Sequence, residues 1–476
     1  MSFFAFPICA DLDEAKLILS SLMQGNVARE GALFAVALAV PPGLGGALLD
    51  ASLLAELSEA VVFADRAPDA PLVVGLGHAV RLRAETGSPF SEVTARVRGQ
   101  HVVADEALLP WIRYFGGGSF DARRAHDESC WVSFGTATLI LPQYTYIQAR
   151  DEAVLLLVCA PDALPEVINR ATSLLALATA EQAGGEKNPE TRNAKEDGLP
   201  VQVVTIKQSA NAETWTEMLV QAQHEIAEGR LSKVVAARRV TVQLSRAPTF
   251  STVLARLLAQ AVDSSVFGIR LGTRIFIGAT PETLVSKVGE EVTTEALAGT
   301  LALVDGVPSV ELEQRLLTSE KDRDEHQFVV QAVQATLQPL CHALSVPDSP
   351  GVRNLRRMMH LWTPITGKLN APCHILDLVT ELHPTPAVGG VPQQAALDFI
   401  FNHESVERGW YAAPFGWCNA AGDGHFVVSL RSALIAGDKV HVYAGAGIVA
   451  ASVSSAEYAE TELKMGAILG ALGLAS

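Results

Sequence analysis

The apolar positions of this chain fall into two rhythms. Over the first third, short apolar runs bounded by turn residues predict strands at Leu33 to Val40, Pro71 to Val80, Trp131 to Leu141, Tyr144 to Arg150 and Ala153 to Cys159, the last two parted only by Asp151-Glu152. Leu164 to Ala180 is an apolar stretch of helical length. Residues 181 to 200 then contain almost no large apolar side chain and are rich in Gly, Asn, Glu and Lys, which predicts an exposed connection. Beyond it Trp215, Leu219, Ala222 and Ile226 recur at helical spacing, with Gly229 as a stop signal. A strand follows from Leu231 to Val240 and a helix from Ser251 to Val262. Val266 to Leu271 and Arg274 to Gly278 form a predicted hairpin leading to Glu282. Phe426 to Ile435 and Lys439 to Val449 read as a strand pair joined at residues 436 to 438, and Ala456 to Leu472 as a final helix.

These elements divide the chain into an N-terminal half, 1–180, a linker, 181–200, and a second half, 201–476, which carries most of the chemical signals. With 476 residues, 49% of them hydrophobic, the chain can bury a large core. Length alone suggests two or three domains, but one large α+β domain fits as well. No internal repeat of fixed period is visible, although two strand-rich halves are compatible with pseudo-symmetric sheets.

Charge narrows the partners. The formal net charge is −16 with no basic run, which argues against a nucleic-acid surface or an anionic membrane. The N-terminus lacks a basic leader region, and the longest early apolar run, Ala32 to Val40, stops at Pro41-Pro42, so a soluble, cytoplasmic chain is expected. The 6 cysteines show neither Cys-x-x-Cys spacing nor His partners at zinc-site intervals, and buried free thiols are the expectation.

Several side chains carry more specific chemistry. The run Phe276-Ile-Gly-Ala-Thr-Pro breaks just before Glu282, placing that carboxylate where a strand ends. Asp322 and Glu325 are spaced i, i+3, so a helix sets them side by side, where their repulsion calls for a cation. Glu457, Glu460 and Lys464 share one face of the last helix, which on its own is a solvated face with an intrahelical ion pair. Arg431 interrupts an apolar run, which is costly unless the guanidinium meets a partner such as a carboxylate. Lys233 stands at the start of a strand, where a lysine ordinarily points into water, and His360 lies among apolar residues, ordinarily a core position.

Three stretches taken together resemble a known family. Thr294-Glu-Ala-Leu-Ala-Gly-Thr300, Leu382-His-Pro-Thr-Pro-Ala-Val-Gly-Gly390 and Tyr443-Ala-Gly-Ala-Gly-Ile-Val449 resemble the chorismate-utilising enzymes, and within them the isochorismate synthases. The likeness runs from about residue 200 to the C-terminus, with a weaker echo at Phe115-Gly-Gly-Gly-Ser-Phe-Asp121. It implies an α+β fold of two large antiparallel sheets packed as a pseudo-symmetric core with helices outside, a monomer, and chorismate as substrate. It implies Lys233 as the base that activates water, with burial or a nearby cation lowering its pKa, and Glu282 as the general acid. Gly299, Thr300, His360, Arg431, Gly445 and Lys464 become substrate-binding positions, and Glu325 and Glu460, with Asp322 and Glu457 through water, a magnesium site of the oxygen-only kind. Ala298 stands where amine-using relatives commonly carry a nucleophilic Lys, which points to water as nucleophile. The stretch Glu407 to Trp417 departs from the family's Tyr-Ala-Gly-Pro by Ala413. A salicylate synthase, which continues to pyruvate loss, is the alternative activity; a degenerate homologue that only binds a metabolite is disfavoured by the presence of Lys233, Glu282, Glu325 and Glu460.

Overall fold

The computed structural model describes residues 3–25, 31–49, 57–85, 90–123, 130–183, 202–261, 263–304 and 306–474. Among them two sheets, of 13 and 10 strands, carry nearly all the long-range pairing, and all but one of the pairings between their named strands are antiparallel. The strand Leu33–Ala39 shows why such runs are apolar at almost every position. Leu33, Ala35 and Ala37 face one core and Phe34, Val36 and Leu38 another, so a two-residue alternation with both faces buried leaves no room for polar residues. The first core lies between the two sheets. The second lies between the larger sheet and the helices Leu12–Gly25, Leu164–Ala183, Phe250–Gln260 and Ser454–Ala471. Each fully buried Val, Leu or Phe contributes roughly 1.5–3 kcal/mol in such layers.

Strand order reveals a two-fold relation that no sequence period betrays. From the middle of the larger sheet outwards, the second half contributes Ser265–Leu271, Arg274–Thr280, Ser432–Ala436, Lys439–Ile448 and Lys233–Leu244. In the opposite direction the first half contributes Glu59–Ala64, Leu72–Leu76, Tyr144–Ala149, Glu152–Cys159 and Leu33–Ala39, the same order of appearance along the chain. The smaller sheet repeats the relation. Pro414–Asn419, Gly424–Val428 and Thr283–Val288 mirror Arg113–Gly118, Ala137–Leu141 and Val80–Ala84. The halves meet where Ser265–Leu271 pairs with Glu59–Ala64 and where Pro414–Asn419 pairs with Arg113–Gly118. Among the described residues only the second half extends its smaller sheet, with Glu291–Ala302 and Met358–Leu369, backed by the helix Glu320–Leu337. That extension is where the chemistry gathers.

Several predicted boundaries shift. The stretch Pro71 to Val80 is two strands in different sheets, separated at Gly77 in a left-handed turn conformation (φ 61). Phe426 to Ile435 likewise divides between sheets, Gly424–Val428 in the smaller and Ser432–Ala436 in the larger. Arg431 therefore sits at the crossing and not inside a strand, with φ 47, a conformation costly for a side chain with a Cβ. Trp131 to Leu141 is extended only from Ala137, because Trp131 to Phe134 form turns that bury both rings. The predicted linker falls mostly on 184–200, outside the described residues; 181–183 complete the preceding helix. No helix among the described residues is long and apolar enough to cross a membrane.

Candidate active site

Lys233 opens the strand Lys233–Leu244, which at this end lies between Gly390–Val391 on one side and Lys439–Ile448 on the other. Enclosed by them, its side chain is fully buried rather than solvated. Its ammonium lies 3.0 Å from Glu325 Oε1, so the charged group beside it is an anion and not the neighbouring cation that was one expectation. Glu325 reaches across residue 447 to make this contact. A Cβ there would fall 2.3 Å from its Oε1 and 3.1 Å from Lys233 Cε, so only glycine admits the pair.

Glu282 follows the strand Arg274–Thr280 at a Pro-bounded corner and is 3% exposed. Burial, reinforced by the charge of Glu295 and opposed by Lys233, Lys464 and Arg353, pushes its pKa up to about 8. A carboxylic acid in such a setting keeps its proton at neutral pH and can donate it. Glu295, in the Thr294 to Thr300 motif, behaves in the opposite way. Burial opposes its charge, but hydrogen bonds from Arg353 and Arg66 hold its pKa below the ordinary value.

Gly299 adopts φ 76 at a bulge between Ala298 and Thr300, and a Cβ would meet Asp322 Cβ at 3.1 Å. The bulge turns the Thr300 N–H toward Asp322 Oδ1, 3.3 Å away, and the Gly299 carbonyl toward His360 Nδ1, 3.2 Å. Arg431 Nη2 lies 3.2 Å from His360 Nε2. A guanidinium only donates, so Nε2 accepts and the proton sits on Nδ1, pointing at the Gly299 carbonyl. Burial, then the Arg431 and Lys464 charges, hold the His360 pKa well below its usual value. Among the described residues the other partner of the Arg431 guanidinium is the Met358 sulfur, 3.1 Å away. Its guanidinium thus has neutral acceptors and no carboxylate among the described residues.

The C-terminal helix Ser454–Ala471 delivers the third group. Lys464 Nζ lies 2.6 Å from Glu460 one turn earlier and donates to the Gly445 carbonyl at 2.9 Å. Glu282, Gly299, Thr300, Glu325, His360, Arg431, Gly445, Glu460 and Lys464 all line one cavity of about 690 Å³, together with Ala298. Lys233, Asp322 and Glu457 do not line it. Each stands directly behind a residue of the wall or beside one: Lys233 behind Glu325, Asp322 behind Thr300, and Glu457 one helical turn from Glu460.

A profile of the family described as chorismate binding enzyme matches residues 30–473. The chain belongs to the chorismate-binding enzymes. It is 38% identical over 375 residues, 78% of this chain and 76% of the relative, to the salicylate biosynthesis isochorismate synthase of Pseudomonas aeruginosa. It is 36% identical over 272 residues, 57% of this chain and 58% of the relative, to the isochorismate synthase MenF of Bacillus subtilis. The solved structure of the menaquinone-specific isochorismate synthase MenF of Escherichia coli superposes with a TM-score of 0.75 at 25% identity, covering 96% of this chain and all 100% of that one. Anthranilate synthase component I of Streptococcus pneumoniae, at 19% identity and a TM-score of 0.65 over 84% of this chain and 92% of that one, shares the fold.

In this chorismate-binding enzyme the cavity has further walls that motif reading passed over. Arg408 and Tyr411 line it, both from the stretch Glu407 to Trp417 noted only for its Ala413. Arg408 pairs with Glu404 at 2.5 Å and donates to the carbonyls of Val388 at 2.8 Å and Val235 at 2.7 Å. It thereby ties the irregular loop Leu382 to Gly390 to the strand carrying Lys233. Tyr411 stacks on Tyr443, centroids 5.2 Å apart. Arg66, which holds Glu295, comes from the other half of the chain, 229 residues away.

The four acidic residues assigned to a cation are near enough to feel one another but are held apart. Burial and the Glu325 charge raise the pKa of Asp322 against a hydrogen bond from Ser319; burial and the Glu460 charge raise that of Glu457 against one from Lys321. Lys321, though buried enough to disfavour its charge, is held above its ordinary value by Glu457, Glu325 and Asp322. Among the described residues no three acidic, His or Cys side chains converge into a metal centre; Glu325, Glu460 and Glu457 each hold a lysine instead. The four carboxylates offer the oxygen-only donor chemistry that a hard divalent cation takes, but in this arrangement they are spread apart and three of them answer lysines.

Proposed function

We propose that this chain is an isochorismate synthase, converting chorismate to isochorismate by adding water at C2 with loss of the C4 hydroxyl. The observation that carries the reading is Glu282: a buried carboxyl, with a pKa pushed up to about 8, in the wall of a cavity that also presents Arg431 and Lys464. Hydroxide is a poor leaving group, and a neutral acid aimed into a cationic pocket removes that obstacle by protonating the departing oxygen. The substrate is a dicarboxylate. Arg431, whose present acceptors are neutral, takes one carboxylate in a bidentate contact, and His360, fixed with its proton on Nδ1, holds the guanidinium by accepting through Nε2. Lys464 serves the other carboxylate.

Water is the nucleophile because Ala298 presents only a methyl group to the cavity. Lys233 is the base for that water and accepts its proton only as the neutral amine, so the ammonium must first hand a proton to Glu325, the carboxylate 3.0 Å away that also positions its nitrogen. Glu325 and Glu460, with Asp322 and Glu457 behind them, are the residues that would hold magnesium, and a divalent cation bound there would supply Lewis-acid charge for the ring carboxylate. The names of the relatives, isochorismate synthases at 36–38% identity, support the same reading. Magnesium-dependent loss of chorismate on purified protein tests it, and no loss with magnesium present removes the assignment.

A further inference from the structure

Behind the catalytic cavity lies a second one, of about 750 Å³, to which nothing in the proposed reaction assigns a role. Its floor is apolar: Leu257, Leu355, Met358 and Ile468 are all buried. Its rim carries Arg356 and Arg357, both exposed, and among the described residues its lining contains no carboxylate. No ion pair or hydrogen bond is made by either guanidinium among the described residues. Gly466 of the C-terminal helix opens the space, since a Cβ there would touch only Arg357 Nη1, at 3.5 Å. Arg431 belongs to the walls of both cavities.

Paired arginines above an apolar floor select a ligand with one anionic end and one greasy end. A bare inorganic anion would leave the floor unused, and a neutral apolar molecule would leave the guanidinium groups unanswered. Arg431 adds a consequence. Held among the described residues by the Met358 sulfur and by His360, it is drawn toward an anion in either cavity, so occupancy of one weakens its pairing in the other.

We propose that this second cavity binds a small monocarboxylate with an apolar ring, its carboxylate on Arg356 and Arg357, and that occupancy weakens substrate binding through Arg431. The site thereby couples a carboxylate ligand to the catalytic cavity. The coupling rests on chorismate being the substrate; the binding does not.

Benzoate titrated into the full chain by calorimetry, beside steady-state kinetics with chorismate, tests both parts. Two variants empty the site by different routes: Arg356→Ala with Arg357→Ala removes the charge, and Gly466→Leu fills the space. Each is expected to weaken benzoate binding by at least about tenfold, the value of one charge-assisted hydrogen bond or of a comparable apolar contact, with basal kcat and KM unchanged. In the unaltered protein benzoate raises the KM for chorismate, and in both variants it does so far less. Absence of benzoate binding at millimolar concentration, or equal affinity in the protein and both variants, which puts the ligand in the catalytic cavity, overturns the site. Variant-sensitive binding that leaves KM unmoved overturns the coupling. A protein that does not consume chorismate contradicts the functional reading instead, and the calorimetry still decides the site.

Discussion

Lys233 and Glu325 come within 3.0 Å of each other across Gly447, whose missing side chain is the space they use. A methyl group there would fall 2.3 Å from Glu325 Oε1, so Gly447→Ala must push the carboxylate off the lysine or move the strand. Turnover is expected to fall about 10²-fold, the usual worth of a positioned base, while Lys233→Met, which keeps most of the buried volume, removes the base itself and costs at least as much. Rapid-quench or continuous assays of kcat beside thermal melts check this. Either variant keeping more than about a tenth of kcat removes the pair from the mechanism.

Glu282 should control both rate and stability through pH. Burial raises its pKa from the ordinary 4.5 to about 8, so the native state binds a proton that the unfolded chain releases at lower pH. That contribution favours folding least above pH 8, and the cost builds up between pH 4.5 and about 8. Glu282→Gln is therefore expected to lose roughly 10²-fold or more in kcat yet melt above the unaltered protein at pH 9, the gap closing toward pH 5. Melting curves across that range decide it; a variant less stable at pH 9 contradicts the assigned environment.

Removing one anionic oxygen from the acidic set should weaken the cation and spare the fold. Glu325→Gln and Glu460→Gln are each expected to raise the dissociation constant for magnesium, with activity partly regained at high magnesium. Calorimetric titration with magnesium alone separates this from loss of the lysine contacts. Unchanged affinity in either variant takes that residue out of the metal set.

Much of this site is legible in the sequence, and the omissions have physical reasons. Glu282 announces itself because a Pro-bounded strand end is a local feature, and Asp322 with Glu325 because helical spacing is local too. The burial of Lys233 is not local: it depends on Gly390–Val391 and Lys439–Ile448 closing over the strand, contacts that span most of the second half. Arg431 is expected inside a strand, and its geometry differs. An apolar run interrupted by Arg reads the same whether the chain continues in one sheet or crosses to another, and only the left-handed backbone at 431 tells them apart. The two-fold relation between the halves is carried by strand order, and among the described residues the extension Glu291–Ala302 with Met358–Leu369 has no counterpart in the first half, so no repeat period survives. Arg66 and Arg408 act through carbonyls and carboxylates far along the chain, and no spacing rule finds such partners.

Whether the reaction stops at isochorismate depends on the walls and not on the acid or base. Pyruvate loss by pericyclic hydrogen transfer needs the enolpyruvyl side chain folded over the ring, which a tight wall enforces. The loop Leu382 to Gly390 presents Ala387 and Val388 to the cavity, while Gly389 and Gly390 pack against Pro384, Ala396 and the Lys233 carbonyl; walls as small as Ala387 and Val388 are expected to leave the side chain extended. The direct measurement is to incubate purified protein with chorismate and magnesium, with no lyase present, and to follow salicylate fluorescence beside chromatography of the ring acids. An equilibrium mixture of chorismate and isochorismate is the predicted result; salicylate and pyruvate formed as fast as chorismate disappears would contradict it.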